Sequence, residues 1–239
     1  WIALDTYEYM MKLMKQYNAE VVDIDCQYAY MSEDAVLQRD EDVAIYSGKD
    51  VLWHYLYRGL TLQNNAPYTC WRKLYQRNVI GNYQFPEGKN SEDLLFNYLV
   101  LKNTTRTAVS KKVKYFYFQN QKGISMGPLK KADLGLLEIC REIYEKEKDN
   151  NYRDINKLTE IKLARSYFSI LSRIAISGVS ESIEDPEQLI KELAKRLRNN
   201  IWLLLNSPID PKRKIMCIVV AIDYRIPSVA YAFMKRRKK

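Results

Sequence analysis

The sequence predicts an α/β chain in two parts, a mixed sheet with flanking helices over residues 1–127 and a mostly helical part over residues 128–239. Three observations carry that expectation. Residues 19–30 (AEVVDIDCQYAY) run without a breaker and are rich in Val, Ile and Tyr, as a strand requires. Apolar residues at helical spacing precede and follow that strand, so helix and strand alternate. Beyond Gly127-Pro128 strand-like stretches give way to long helix-period ones.

Leu4, Tyr7, Met10, Met11, Leu13, Met14 and Tyr17 open the chain at helical spacing, with Asn18 as the stop. After the strand at 19–30, Ser47 can cap a helix running through Arg58, and Asp50 in its first turn suits the positive end of the dipole. Ser91 is a second candidate cap, followed by Glu92 and Asp93 and then by Leu94, Leu95, Phe96, Leu99 and Leu101. Two short strands are expected at 107–110 and 113–119, before a turn at Lys122-Gly123. The helical part divides into stretches at 130–148, 155–176, 185–206 and 211–224, with a last segment from 227. Asp185-Pro186 and Asp210-Pro211 each read as a cap followed by proline at the first helical position.

Composition removes several function classes. Gly and Pro together number only 15 of 239 residues, which excludes collagen-like and low-complexity chains. The longest apolar run, residues 215–222, is far shorter than the roughly 18 to 20 residues that cross a bilayer. Cys26, Cys70, Cys140 and Cys217 lie far apart without CxxC spacing, so free thiols in a reducing cytoplasm are expected. With His54 as the sole histidine, a multi-histidine metal site is impossible, and the chemistry falls to carboxylates.

The net charge of +9 is unevenly placed. Residues 191–239 hold 13 Lys or Arg against 3 Asp or Glu, a net +10, while residues 1–190 hold 25 against 26. Such a tail fits anionic phospholipid or nucleic-acid phosphate, or is a solvated basic end without a partner. No zinc-finger, RNP or KH signature favours nucleic acid.

The block at 65–96 (NAPYTCWRKLYQRNVIGNYQFPEGKNSEDLLF) holds the residues most suited to chemistry. Glu92 and Asp93 stand at a helix start, where backbone donors and the helix dipole suit a group that takes a proton from a hydroxyl; the same pair also simply favours helix initiation. Asp23 and Asp25 form the one literal Asp-x-Asp. Two apart in a strand, they share a face, where a hard cation such as Mg²⁺ or Mn²⁺ could bind.

In order, WRKLYQRNVI, FPEG, SEDLLFNYLVL and YFYFQNQKGIS resemble the second half of bacterial family 2 glycosyltransferases, over about residues 66 to 125. The opening Trp1-Ile2-Ala3-Leu4-Asp5 resembles the stretch just after that family's metal-binding Asp-x-Asp. The resemblance implies a partial GT-A fold and inverting transfer of a sugar from a nucleotide-diphosphate donor to a glycan or lipid-linked acceptor, in bacterial surface polysaccharide synthesis. It implies Asp93 as general base, Glu92 as a helper in acceptor placement and Trp71 as a platform for a sugar face. Lys73 would support the acceptor or the acidic pair, and Lys122 would offset the leaving diphosphate. Trp71 as a half-buried core aromatic and Lys122 as a surface lysine are the plainer readings of the same residues. Arg72 stands where many relatives have Asn.

The resemblance further implies that a nucleotide-binding half, with most ligands of a divalent cation (Mg²⁺ or Mn²⁺), precedes Trp1, and that the chain alone does not hold the donor. Without that half, the strand at 20–30 is expected at an open sheet edge, which favours self-association into a homo-oligomer. In the tail, residues 216–222 and 229–234 beside Lys212-Arg213-Lys214 and Lys235–Lys239 have the arrangement of an interfacial helix with a basic clamp. That places the protein peripherally on the inner face of the cytoplasmic membrane; packing on the catalytic part or on a second subunit is the alternative. A non-catalytic helical scaffold and a basic-tail binding module are the rival functions.

Overall fold

The computed structural model describes residues 1–31, 42–61, 67–119 and 127–226. It is an α/β chain with a four-stranded mixed sheet, and its residues group into two units. The first comprises 1–85 and 93–126, the second 86–92 and 127–239.

In the first unit, α1 (Thr6–Gln16) buries Tyr9, Met10, Leu13 and Met14 against β1 (Val21–Ala29); of the residues at the expected helical spacing Met10, Leu13 and Met14 lie on that face, whereas Leu4, Tyr7 and Met11 are exposed. β2 (Val43–Ser47), α2 (Lys49–Thr61), β3 (Lys73–Tyr75), the short α3 (Arg77–Ile80), α4 (Glu92–Lys102) and β4 (Arg106–Phe118) come next along the chain. The strand order is β2-β4-β1-β3. β1 runs parallel to β4 and antiparallel to β3, and β2 runs antiparallel to β4.

Four expectations need correction. β1 is not an edge strand along its first part: over Val21–Asp23 it has β3 on one side and β4 on the other, while over Asp25–Ala29 its strand partner among the described residues is β4 alone. No strand is expected within the Trp-x-Lys-Leu-Tyr element, yet its Lys73–Tyr75 form one. The two short strands after residue 106 are one 13-residue strand, irregular where it passes Asp23–Cys26 of β1. At the irregularity Ser110, fully buried, hydrogen-bonds Tyr9 and accepts from the Lys112 amide, so the polar Lys111-Lys112 pair bulges without ending the strand. Below the bulge β4 pairs with β2; above it, Ile2 bridges Tyr115. Finally, Ser91 has φ +72, outside the conformation of an N-cap, so α4 begins without the expected cap geometry.

The second unit is helical: a 3-10 turn (Lys131–Leu134), α5 (Gly135–Glu147), α6 (Arg153–Ser177), α7 (Pro186–Asn199), α8 (Ile201–Leu205) and α9 (Pro211–Ile222). The expected single helix at 185–206 breaks at Asn200, which caps α7 and opens α8. Asp185 and Asp210 cap α7 and α9 through the Gln188 and Lys212 amides, with proline in the first turn as predicted. The segment 86–92 joins this unit through Asp133, buried at the 3-10 turn. Asp133 accepts from Asn90 Nδ2 (2.6 Å) and the Lys130 amide (2.8 Å) and pairs with Arg173 (2.9 Å). Burial alone would raise its pKa, but the Lys130 amide, Asn90 and Arg173 hold it below the ordinary value.

Candidate functional site

The segment 67–75 joins three sequence motifs within the first unit. Lys73, at the start of β3, turns its side chain inward. Its Nζ donates to the carbonyls of Pro67 (2.6 Å) and Thr69 (2.7 Å) and lies 4.0 Å from Asp23 Oδ2. Burial pulls this amine down to about 8, with Asp23 opposing. The loop pinned in this way presents the amide of Cys70, which donates to Asp93 Oδ2 at 3.0 Å. Asn97, one turn on in α4 and fully buried, donates to the carbonyls of Asp93 (2.9 Å) and Tyr68 (2.8 Å) and accepts from Tyr75 (2.7 Å). Loop, β3 and α4 are thus tied at the point where Asp93 sits.

Trp71 comes directly after Cys70. Its half-buried ring lies against Tyr115 (4.0 Å between centroids) and Tyr117 (5.2 Å) of β4, and Tyr28 of β1 meets Tyr117 edge-on. These rings share one face because Cys26 pairs with Tyr115 and Tyr28 with Tyr117. The result is an aromatic face beside the Asp93 loop, of the kind that stacks on the apolar side of a ring.

Asp23 and Asp25 share a face of β1, as alternation predicts, but the cation between them is a side chain. Arg72, wholly buried, donates from Nε to Asp23 Oδ1 (2.6 Å) and brings Nη2 to 3.4 Å from Asp25 Oδ1. Arg58 takes Asp23 Oδ2 at 3.0 Å. Burial alone would raise the Asp23 pKa; Arg72, Lys73 and Arg58 hold it lowered instead. With both Asp23 oxygens engaged by guanidinium groups, these two carboxylates do not fit a divalent cation. Among the described residues no cluster of three or more His, Cys, Asp or Glu could hold a metal ion. Beside this cluster lies a cavity of about 20 Å³, room for roughly one water, lined by Asp23, His54, Arg58 and Lys73 among others.

Of the other residues singled out, Glu92 is half-buried at the first position of α4 and groups with the helical unit, whereas Asp93 groups with the sheet unit. Lys122 and Lys235–Lys239 lie outside the described residues. Sequence reading missed the structural roles of Arg72, Arg58 and Asn97. An arginine directly between Trp71 and the strand residues Lys73–Tyr75 is the available signal for Arg72; nothing local marks the other two.

No protein-family model matches the sequence, and no curated protein sequence matches it. Among the described residues no helix is long and apolar enough to cross a membrane.

Proposed function

We propose that this chain is the acceptor-side part of an inverting sugar transferase resembling family 2 glycosyltransferases, with its sheet unit forming part of a GT-A-like catalytic domain. The acceptor hydroxyl attacks the anomeric carbon of a nucleotide-diphosphate sugar, the bond from that carbon to the diphosphate oxygen breaks, and the hydroxyl proton passes to Asp93 Oδ1. One observation carries this reading. Asp93 meets the adjacent Cys70 and Trp71, over twenty residues before it in sequence, so that the carboxylate is anchored through one oxygen beside an aromatic face. Anchoring through Oδ2 fixes the carboxylate's direction, as a general base needs. Trp71 with Tyr115 and Tyr117 supplies the platform for a sugar face. In this reading Glu92 helps place the acceptor and Lys122 offsets charge on the departing diphosphate. The divalent cation that the resemblance implies belongs to the donor-binding half and not to Asp23 or Asp25. The acceptor is a glycan or lipid-linked glycan of the bacterial cell surface, handled on the cytoplasmic side.

The test is Asp93→Asn in the full-length protein, assayed by nucleotide release from a panel of nucleotide sugars. General-base loss is expected to lower turnover by about 10²- to 10⁴-fold, with an unchanged circular dichroism spectrum. Wild-type turnover in the variant, or no sugar-nucleotide turnover by the full-length wild type, would favour the scaffold reading.

A further inference from the structure

Helix α9 is apolar on both sides. Its inner strip, Cys217, Val220 and Ala221, is buried, and the helix packs with α6, α7 and α8. Its outer strip, Ile215, Ile218 and Ile222, recurs at i, i+3 and i+7 and therefore forms a single line along the helix. That line faces solvent: Ile215 is 61% exposed, Ile218 40% and Ile222 72%. On α8, Trp202 is 74% exposed. An isolated surface isoleucine is ordinary, but three in line on one helix, with an open indole on the neighbouring helix, mark an interaction surface.

The charges around this strip select the partner. At 100° per residue, Lys212 falls about 60° to one side of Ile215 and Lys214 about 100° to the other, so ammonium groups border the apolar line on both flanks. Neither lysine has an ion pair among the described residues. The surrounding sequence reinforces them, since residues 191–239 carry a net +10 and end in five consecutive cations. A second copy of the chain would bring +10 against +10. A nucleic acid would satisfy the charge and leave the isoleucines and the indole without a role. An anionic bilayer satisfies both, with apolar side chains at the acyl boundary and ammonium groups at the headgroup phosphates.

The geometry points to α9, with Trp202 of α8, as the surface on which this chain lies on an anionic lipid bilayer: Ile215, Ile218 and Ile222 enter the acyl boundary, and Lys212 and Lys214 meet the headgroup phosphates. The assignment uses only the helical unit and stands apart from the sugar-transfer reading, so failure of either leaves the other intact.

The test is co-sedimentation of the full chain with vesicles of phosphatidylcholine and with vesicles of phosphatidylcholine plus phosphatidylglycerol. Binding is expected on the mixed vesicles and is expected to weaken as salt is raised. The double variant Ile218→Ser, Ile222→Ser should bind the mixed vesicles at least about tenfold more weakly. Lys212→Gln with Lys214→Gln should weaken binding about thirtyfold on anionic vesicles. Trp202→Phe should abolish most of the blue shift in tryptophan emission that vesicles induce. All substituted positions are at or near the surface, and the thermal midpoint of each variant checks that folding is preserved. Three results would each overturn the proposal: no sedimentation of the wild type, isoleucine variants that bind like the wild type, or a dimer in sedimentation velocity that these variants dissolve while vesicles are ignored. Duplex binding that the lysine variants lose and the isoleucine variants keep would assign the charge to nucleic acid instead.

Discussion

Arg72 Nε lies 2.6 Å from Asp23 Oδ1, and the guanidinium is completely buried while Asp23 is 6% exposed. This pair fastens the segment leading into β3 to the centre of the sheet, and the Ile24 amide adds a bond to the Arg72 carbonyl. Removing one partner of a buried pair leaves the other charge without compensation, which costs about 3–5 kcal/mol. Arg72→Met should fall at the low end, because Arg58 and Lys73 still face Asp23. Asp23→Asn should cost more, since three cations then converge with only Asp25, 3.4 Å from Arg72 Nη2, as a counter-charge. The double variant Asp23→Leu, Arg72→Met is expected to lose less than the sum of its single changes. Urea unfolding with an unchanged m-value measures all three; additive losses would show that the pair is not coupled.

Lys73 acts on Asp93 at one remove. Its ammonium group holds the Pro67 and Thr69 carbonyls, and that loop places the Cys70 amide on Asp93. Lys73→Met keeps the side chain's length and leaves two carbonyls without their donor, at a cost of about 1–3 kcal/mol each. If Asp93 is the base, kcat for sugar transfer should fall in Lys73→Met with KM for the donor little changed. Lys73→Met turnover equal to the wild type would separate the loop from the chemistry.

Legibility in the sequence tracks the range of the interactions involved. α1, β1, α4 and the caps of α7 and α9 rest on local periodicity and on neighbouring residues, and those signals were present at Leu4–Tyr17, Val21–Val22, Asp185 and Asp210. β2 escaped because Val43–Ser47 is short and half-buried and gains strand character only from pairing with β4. The position of β1 within the sheet depends on partners about fifty and about ninety residues away, which no local pattern encodes. At the site, Asp93 and Trp71 were conspicuous by residue type. Asn97, by contrast, looks like an ordinary helical polar residue, and only the fold reveals that its amide ties Tyr68, Tyr75 and Asp93 together.

Three of the four thiols should be inert in the native protein. Cys26, Cys70, Cys140 and Cys217 are all unbridged. Burial pushes Cys70 up to about 12, with Asp93 adding to it, and burial likewise pushes Cys140 up to about 11 and Cys217 up to about 12. Since the thiolate is the reactive form, a disulfide reagent at mildly alkaline pH should titrate all four sulfurs in denaturant and react slowly at those three positions in the folded chain. Rapid native labelling of Cys70, located by peptide mapping, would mean that the loop beside Asp93 opens readily.

His54 should make stability depend on pH in a window of its own. Its ring stacks on Tyr46 at 3.6 Å, and burial first, with the nearby Arg58 second, lowers its pKa to about 4 from 6.5; Asp23 opposes. Between those two values the unfolded chain binds a proton that the folded chain refuses. Stability contributed by the neutral ring is therefore complete above about pH 6.5 and is lost as pH falls toward 4. The loss is of order 2 kcal/mol after discounting for the ring's partial exposure. Asp23, whose pKa is lowered from 3.8, loses its contribution only below that value, so the two effects separate along the pH axis. Because the chain has a single histidine, His54→Phe, which retains a ring against Tyr46, should flatten the urea-unfolding free energy between about pH 6.5 and 4 and leave the fall below 3.8 in place. An unchanged slope in the variant would assign the acid sensitivity to the carboxylates instead.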